Sequence, residues 1–302
     1  MPFLERNRDA LAASPPFDFA KSLDYLRRFP PPALDQAVAE DSFIKAFRLD
    51  GQTLAASVSG AVVSGMPGLQ YTLYANGKVS ADLERDFQER LRSFLSLDDD
   101  LRPFYDLAVK DPQFAPVVQE LYGYHPVRFA SPFEAAVWAI LSQRNRMTTA
   151  RNMYRSLARR FGHAAELDGV TCWAFPEPQD IAGCSEGDVA FAARNLRRGE
   201  FLIDAARAFA LVPPDFLSTA EHAEVEAWLL GINGIGPWSA GFILLRGLGR
   251  AATVPLLDRV ILEAASRLYG GGITLDVSEV RRIAQRYHPW EGYWAHYIRI
   301  GA

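Results

Sequence analysis

The sequence predicts a mostly α-helical protein with an N-terminal α+β module, in which an antiparallel sheet is covered by a helix. Two observations give this fold class. Over the first eighty residues, glycine-containing turn signals separate short apolar segments, as is typical of strands. From Ala81 onward, apolar residues recur at the spacing of one helix face, and glycine and proline interrupt the helical stretches.

The sheet is predicted from two turn dipeptides. Residues 43–49 and 53–58 flank Asp50-Gly51, and residues 69–75 precede Asn76-Gly77. Asp-Gly and Asn-Gly readily adopt the positive φ angles of tight hairpin turns, so both dipeptides indicate β-hairpins.

The helical part begins with Leu83, Phe87 and Leu91, which are four residues apart and therefore share one helix face. Similar patterns, bounded by glycine or proline, recur to the end of the chain. The other helix candidates are residues 22–29, 135–160, 189–196, 199–211, 221–230, 239–248, 258–269 and 277–287.

Composition narrows the class of protein. The 302 residues are 49% hydrophobic and 23% charged, as in a soluble protein with room for two or three cores. Neither a leader peptide nor an apolar run of membrane-spanning length is found, so we expect a cytoplasmic protein with no membrane partner. A net charge of −4 argues against a protein that coats DNA. Two cysteines are too few for an iron–sulfur cluster, and no Cys/His group has zinc spacing, so no cofactor is expected.

A glycine hairpin is the most informative local feature. Gly234-Ile235-Gly236 lies between two apolar helical stretches. Glycines allow a tight turn and close backbone approach, and the amides that open the next helix attract anions, so the hairpin suits a phosphodiester. The alternative is a turn that binds nothing.

Asp258 follows Gly236 by twenty-two residues, after a proline-containing loop and at the start of a predicted helix. An Asp in this position either caps the helix and does nothing more, or supplies a carboxylate for chemistry. Its conjunction with the hairpin favours a nucleic-acid clamp beside a catalytic carboxylate.

Residues 228–269 resemble the helix-hairpin-helix (HhH-GPD) superfamily of DNA glycosylases, whose signature is a Gly-apolar-Gly hairpin followed by an Asp after a proline-containing loop. Residues 15–19, 131–143 and 288–293 extend the resemblance to the bacterial DNA-3-methyladenine glycosylase II branch. The resemblance implies a monofunctional base excision repair enzyme. Such an enzyme flips an alkylated purine out of double-stranded DNA and hydrolyses its N-glycosidic bond, acting as a monomer.

The resemblance also assigns roles to individual residues. Asp258 corresponds to the catalytic carboxylate, no metal takes part in catalysis, and a structural monovalent cation would be held by the carbonyls of Gly234 and Gly236. The base pocket is expected to contain Trp238, Phe242 and Tyr25. DNA contacts are expected from Gly234, Ile235, Gly236, Ser239, Gln143, Arg144 and Asn145.

Lysine usage bears on the reaction type. The chain has four lysines and none after Lys110. Members of the superfamily that also cut the DNA strand use a lysine shortly after the hairpin to form a Schiff base with the sugar, and here that position is Trp238. The resemblance therefore implies a glycosylase without lyase activity.

Two positions depart from the branch. Arg299 lies where relatives place an aromatic residue, and Arg144 lies where they insert an apolar wedge into the DNA. A glycosylase for oxidised or deaminated bases, or a noncatalytic DNA-binding protein, therefore remains open. Six arginines between residues 135 and 165, with no acid among them, form either a groove wall or a solvated helix face.

Similarity to the family also predicts the domains. Residues 1–80 are expected to form an N-terminal domain, and residues 131–252 a helical domain with the hairpin. Residues 81–130 and 253–302 are expected to pack together as a second helical unit. Asp258 would then lie in the cleft between the two helical parts.

Overall fold

A computed structural model of the chain describes residues 2–29, 35–167, 169–213, 215–252, 254–255 and 258–301. The predicted domain boundary at residue 253, and Leu256 and Leu257 in the loop before Asp258, lie outside the described residues. No helix in these described segments is long and apolar enough to cross a lipid bilayer.

An antiparallel sheet forms the N-terminal module, as predicted. The described strands are β1 (Leu4–Ala12), β2 (Gln36–Val38), β3 (Ser42–Leu49), β4 (Gln52–Val63), β5 (Met66–Ala75), β6 (His163–Leu167) and β7 (Val170–Ala174). The first five make one sheet of order β1-β5-β4-β3-β2. The Asp50-Gly51 hairpin is confirmed, since both turn residues have positive φ between β3 and β4. The Asn76-Gly77 hairpin is wrong: a helix follows it, and β4 turns into β5 at Ser64-Gly65.

Helices make up most of the remaining chain, as predicted. Several begin at a side chain that accepts a backbone N–H, as Ser80, Ser131 and Asp258 do. The described helices are α1 (Phe19–Arg28), α2 (Ala81–Leu95), α3 (Arg102–Ala108), α4 (Ala115–Glu120), α5 (Pro132–Ser142), α6 (Met147–Phe161), α7 (Pro178–Ala182), α8 (Glu186–Ala193), α9 (Leu196–Leu211), α10 (Phe216–Thr219), α11 (His222–Leu230), α12 (Pro237–Arg246), α13 (Arg259–Tyr269), α14 (Val277–Ala284) and α15 (Glu291–Gly301).

Two helical predictions need correction, and one hairpin was missed. The helix expected over residues 135–160 is two helices, because Arg144 takes a left-handed φ of 54° that separates α5 from α6. The helix expected over residues 189–196 ends at Ala193 for the same reason, since Arg194 has a φ of 53°. The hairpin of β6 and β7 was not predicted. Its buried positions are Ala165, Leu167, Cys172 and Ala174, and each strand is only five residues long, which is too short to give a clear alternating pattern.

Two large hydrophobic cores meet at a cleft. One joins the sheet and α1 to α2–α4 and α13–α15, and contains Phe87 and Trp294. The other is built by α5–α12 and contains Leu202 and Ile243. Asp258 opens α13, which belongs to the first core. Because the sheet shares its core with the first group of helices, the division into separate domains stays a prediction.

The connection between α11 and α12 takes its shape from Gly234. Its φ is +87°, and a Cβ at this position would lie 2.4 Å from Cγ of Phe201. Gly236 instead has a φ of −98°, caps α12, and has no atom within 4 Å of the Cβ that it would carry. The hairpin is therefore fixed against α9 at its first glycine and open at its second.

We expect Gly234→Ala to lower the free energy of unfolding by about 2 kcal/mol, because a left-handed φ costs a residue with a Cβ roughly 1–2 kcal/mol and Phe201 must also move. Urea denaturation followed by circular dichroism measures this. Gly236→Ser is the control, because there is room for a Cβ at this position and Ser is a preferred N-cap, so the expected change is within about 0.5 kcal/mol. Equal losses in the two variants would contradict this account of the hairpin.

Candidate active site

Asp258 lies at the N-cap of α13, and both of its carboxylate oxygens are engaged. Oδ1 accepts a hydrogen bond from the Val260 amide at 2.9 Å, which caps the helix. Oδ2 accepts a hydrogen bond from Nη1 of Arg299, on α15, at 3.1 Å. Asp258 is only 8% exposed. It is therefore both a helix cap and a nearly buried charge whose orientation is fixed.

A cavity of about 410 Å³ opens between the two cores and reaches Arg299. This volume is within the range of small-molecule sites. Asp258 is not among the described lining residues, but its ion-pair partner Arg299 is. The lining consists of Lys21, Asp24, Tyr25, Arg28, Phe29, Glu120, Leu121, Tyr124, Trp138, Met147, Phe242, Arg246, His296, Arg299 and Ile300.

Two of the three predicted base-pocket residues, Tyr25 and Phe242, line this cavity. The third, Trp238, stacks on Phe242 with ring centroids 5.4 Å apart, as their four-residue spacing predicts. Trp238 is not one of the described lining residues, so its contact with a base stays a prediction. Trp138 lines the cavity but was missed, because α5 is buried on all sides and its sequence distinguishes no face.

Arg246 also lines the cavity and is 4% exposed. It lies one turn beyond Phe242 on α12. Its Nη2 donates to the Tyr25 hydroxyl at 2.7 Å and to the Val127 carbonyl at 2.8 Å. Its guanidinium also lies over the rings of Tyr25 and Phe29. Sequence analysis missed Arg246, although its spacing from Phe242 places the two residues on one helix face.

His296 and Arg299 both lie on α15, and both line the cavity. It is buried, and its Nε2 is 3.0 Å from the Tyr124 hydroxyl. Burial, together with the charges of Arg246 and Arg299, holds the pKa of His296 well below its usual value. The imidazole is therefore neutral at physiological pH, and the charge of these walls comes from the arginines.

The predicted DNA-contacting residues gather around the hairpin. Nε2 of Gln143, at the end of α5, donates to the Gly234 carbonyl at 2.7 Å and to the Ser239 hydroxyl at 3.1 Å. This clamps the α5–α6 loop onto the hairpin. The Gly234 carbonyl is one of the two predicted cation ligands, and the cation itself stays a prediction. The described residues contain no group of three or more His, Cys, Asp or Glu side chains suited to a metal ion.

Arg144 and Asn145 follow Gln143 in the same loop but differ in their surroundings. Arg144 is exposed on the loop, whereas Nδ2 of Asn145 donates to the Leu141 carbonyl at 2.8 Å and so closes the end of α5. Arg144 is thus the one of these two whose side chain is open to solvent. The basic stretch was predicted to form either a groove wall or a solvated helix face. Three of its arginines, Arg155, Arg159 and Arg160, line a separate surface depression together with Asn152, Ser156, Phe191 and Arg194.

Comparison with known proteins identifies the family of the chain. Residues 137–290 match the family model of the HhH-GPD superfamily base excision DNA repair proteins. A DNA-3-methyladenine glycosylase of Bacillus subtilis is 27% identical over 210 residues, which are 69% of this chain and 69% of that protein. DNA-3-methyladenine glycosylase 2 of Escherichia coli is 28% identical over 161 residues, 53% of this chain and 54% of that protein.

Solved structures share the fold. The 3-methyladenine DNA-glycosylase from Archaeoglobus fulgidus superposes with a TM-score of 0.78 at 20% identity, over 97% of each chain. The apo 8-oxoguanine glycosylase/lyase of Clostridium acetobutylicum superposes with a TM-score of 0.71 at 16% identity, over 100% of this chain and 99% of that one. Since the matched family model spans more than half of the 302 residues, the chain belongs to the HhH-GPD superfamily of base excision DNA repair proteins.

Proposed function

We propose that the protein is a monofunctional DNA glycosylase that hydrolyses the N-glycosidic bond of alkylated purines in duplex DNA. The observation that carries the proposal is that the nearly buried carboxylate of Asp258 is paired with Arg299, which lines a cavity with aromatic walls. The names of the Bacillus and Escherichia relatives support the alkylated-purine class.

Helix α12 connects the two halves of the proposed site. It starts at the glycine hairpin and ends at Arg246 in the cavity wall, which for ten residues is a span of about 15 Å. A phosphodiester held by the amides at the start of this helix would place one strand of DNA beside the cavity. The proposed partner is therefore double-stranded DNA, bound by a monomer that needs no cofactor.

Asp258 is proposed to act on the charge that develops during bond cleavage. As the N-glycosidic bond lengthens, the deoxyribose becomes oxocarbenium-like, and a carboxylate already oriented by its helix cap stabilises that positive charge. The same carboxylate then orients or deprotonates the attacking water. In the free protein Arg299 is the positively charged partner of Asp258. In the proposed reaction the oxocarbenium-like sugar replaces Arg299 as that partner.

The damaged base must leave the helix to reach the cavity, and extrusion is easier for a damaged or mispaired nucleotide. The rings of Phe242, Tyr25 and Trp138 supply faces on which it would stack. Arg144, exposed next to the hairpin, is proposed to fill the space that the base leaves. Gln143 would hold that loop in position through its bonds to the hairpin.

We expect Asp258→Asn to slow single-turnover release of a methylated purine by about 10²-fold or more, the effect of losing one preorganised charged group. Asn also caps helices, so the fold and duplex affinity are expected to persist. The measurement is base release by chromatography, with binding followed by fluorescence anisotropy.

Asp276→Asn is the matched control, because Asp276 caps α14 in the same way but its side chain bonds only to Ser278 and Glu279 among the described residues, neither of which lines the cavity. It should release base at the wild-type rate. Wild-type release that persists in Asp258→Asn would refute the catalytic role. Salt-sensitive duplex binding with no release by the wild type would instead favour a noncatalytic DNA-binding protein.

The absence of lyase activity is a separate prediction. Lys21 is the only lysine among the described lining residues, and its Nζ donates to the Glu120 carbonyl at 2.7 Å. We expect an intact abasic strand after base release, and no covalent complex when borohydride is added, because no amine attacks the sugar. A borohydride-trapped complex would contradict this, and its loss in Lys21→Gln would then identify the nucleophile.

A further inference from the structure

One wall of the cavity carries a guanidinium whose donors are not all used. Arg246 is 96% buried, and its two hydrogen bonds to Tyr25 and Val127 both come from Nη2. Among the described residues, neither Nε nor Nη1 has a hydrogen-bond partner. A buried donor without an acceptor is costly, so a ligand that presents an acceptor to this wall would be favoured.

The guanidinium is also held rigidly. Its Cζ lies 5.6 Å from the ring centroid of Tyr25, 5.0 Å from that of Phe29 and 6.0 Å from that of Phe129. With two hydrogen bonds besides, the planar fork is oriented before any ligand arrives. A preoriented arginine fork distinguishes acceptor edges from donor edges more sharply than a flexible lysine does.

Charge makes this wall a poor site for selecting a cationic base. The Arg246 cation already lies over one face of Tyr25 and one face of Phe29 and repels a second cation there, and His296 on the neighbouring wall is neutral. The two described lining acids, Asp24 and Glu120, are both exposed to solvent, and Asp24 is also paired with Arg27. Discrimination among extruded purines is therefore expected to depend on their hydrogen-bonding edges rather than on their charge.

We propose that Arg246 is a specificity-determining residue that reads the 6-position of the extruded purine, so that 6-oxopurines are preferred over 6-aminopurines. The O6 atom of hypoxanthine or 7-methylguanine accepts from the fork, whereas the 6-amino group of 3-methyladenine places a donor against donors. This inference rests on the proposed glycosylase function.

The first test compares two bases released from one methylated duplex. 7-Methylguanine and 3-methyladenine both carry a methyl group and a positive charge but differ at the 6-position. The measured ratio is the release rate of 7-methylguanine divided by that of 3-methyladenine. In Arg246→Met this ratio should fall on the order of tenfold below the wild-type ratio, the usual effect of losing an arginine contact to a base edge. The chemical lability of each N-glycosidic bond is the same with either protein, so it cancels when the ratio for the variant is divided by the ratio for the wild type.

Arg250→Met is the matched control. Arg250 donates to the carbonyls of Leu217 and Ala220 and is not a described lining residue, so the release ratio should stay at the wild-type value. A ratio that Arg246→Met leaves unchanged, or that Arg250→Met lowers equally, would overturn the proposal.

The second test needs no variant. Free hypoxanthine and free adenine compete with release by the wild-type enzyme, and we expect hypoxanthine to inhibit about tenfold more strongly. Inhibition by adenine at least as strong as by hypoxanthine would overturn the role of Arg246 and leave the glycosylase intact. A wild-type protein that releases no base would instead remove the proposed function itself.

Discussion

The ion pair between Asp258 and Arg299 is the constraint on which the site depends. It joins the first turn of α13 to α15 at the edge of the cavity, with Asp258 only 8% exposed. A buried carboxylate that loses its partner is strongly destabilising, so the free protein requires a counter-charge there. The proposed reaction supplies a different one, the cation that forms on the sugar. The same pairing explains why an arginine is compatible with position 299, where the resemblance leads one to expect an aromatic residue.

Helix α12 gives the site its dimensions. Gly234 fixes the hairpin against Phe201, Gly236 leaves the start of the helix open, and Arg246 ends it in the cavity. The helix therefore sets the distance between the backbone amides at its start and the Arg246 side chain at its end. Gln143 bonds the neighbouring loop to the same hairpin, so the residues proposed to grip the strand and fill the helix are held next to each other.

Local signals in the sequence predicted the features that are themselves local. The Asp50-Gly51 turn and the tight turn at the glycine hairpin each need only neighbouring residues. Asn76-Gly77 failed because a turn dipeptide does not say whether a strand or a helix follows it.

The missed cavity residues depend on packing between distant parts of the chain. Trp138, Arg246 and His296 lie on three helices that meet only in the folded molecule. The arginine pairing of Asp258 spans 41 residues and has no local pattern. The resemblance and the spacing predict a catalytic role for the carboxylate, which stays a prediction, but they give no sign that Arg299 would pair with it.

The central claim is that Asp258 stabilises positive charge at the sugar, and affinity for abasic-site analogues tests it most directly. A duplex with a pyrrolidine in place of the sugar carries a cation there, whereas a tetrahydrofuran analogue is neutral and of similar shape. We predict that the wild type binds the pyrrolidine duplex at least about tenfold more tightly, as for a transition-state mimic, and that Asp258→Asn loses this preference. Equal affinity for both duplexes in the wild type, or a preference that survives in Asp258→Asn, would contradict the account.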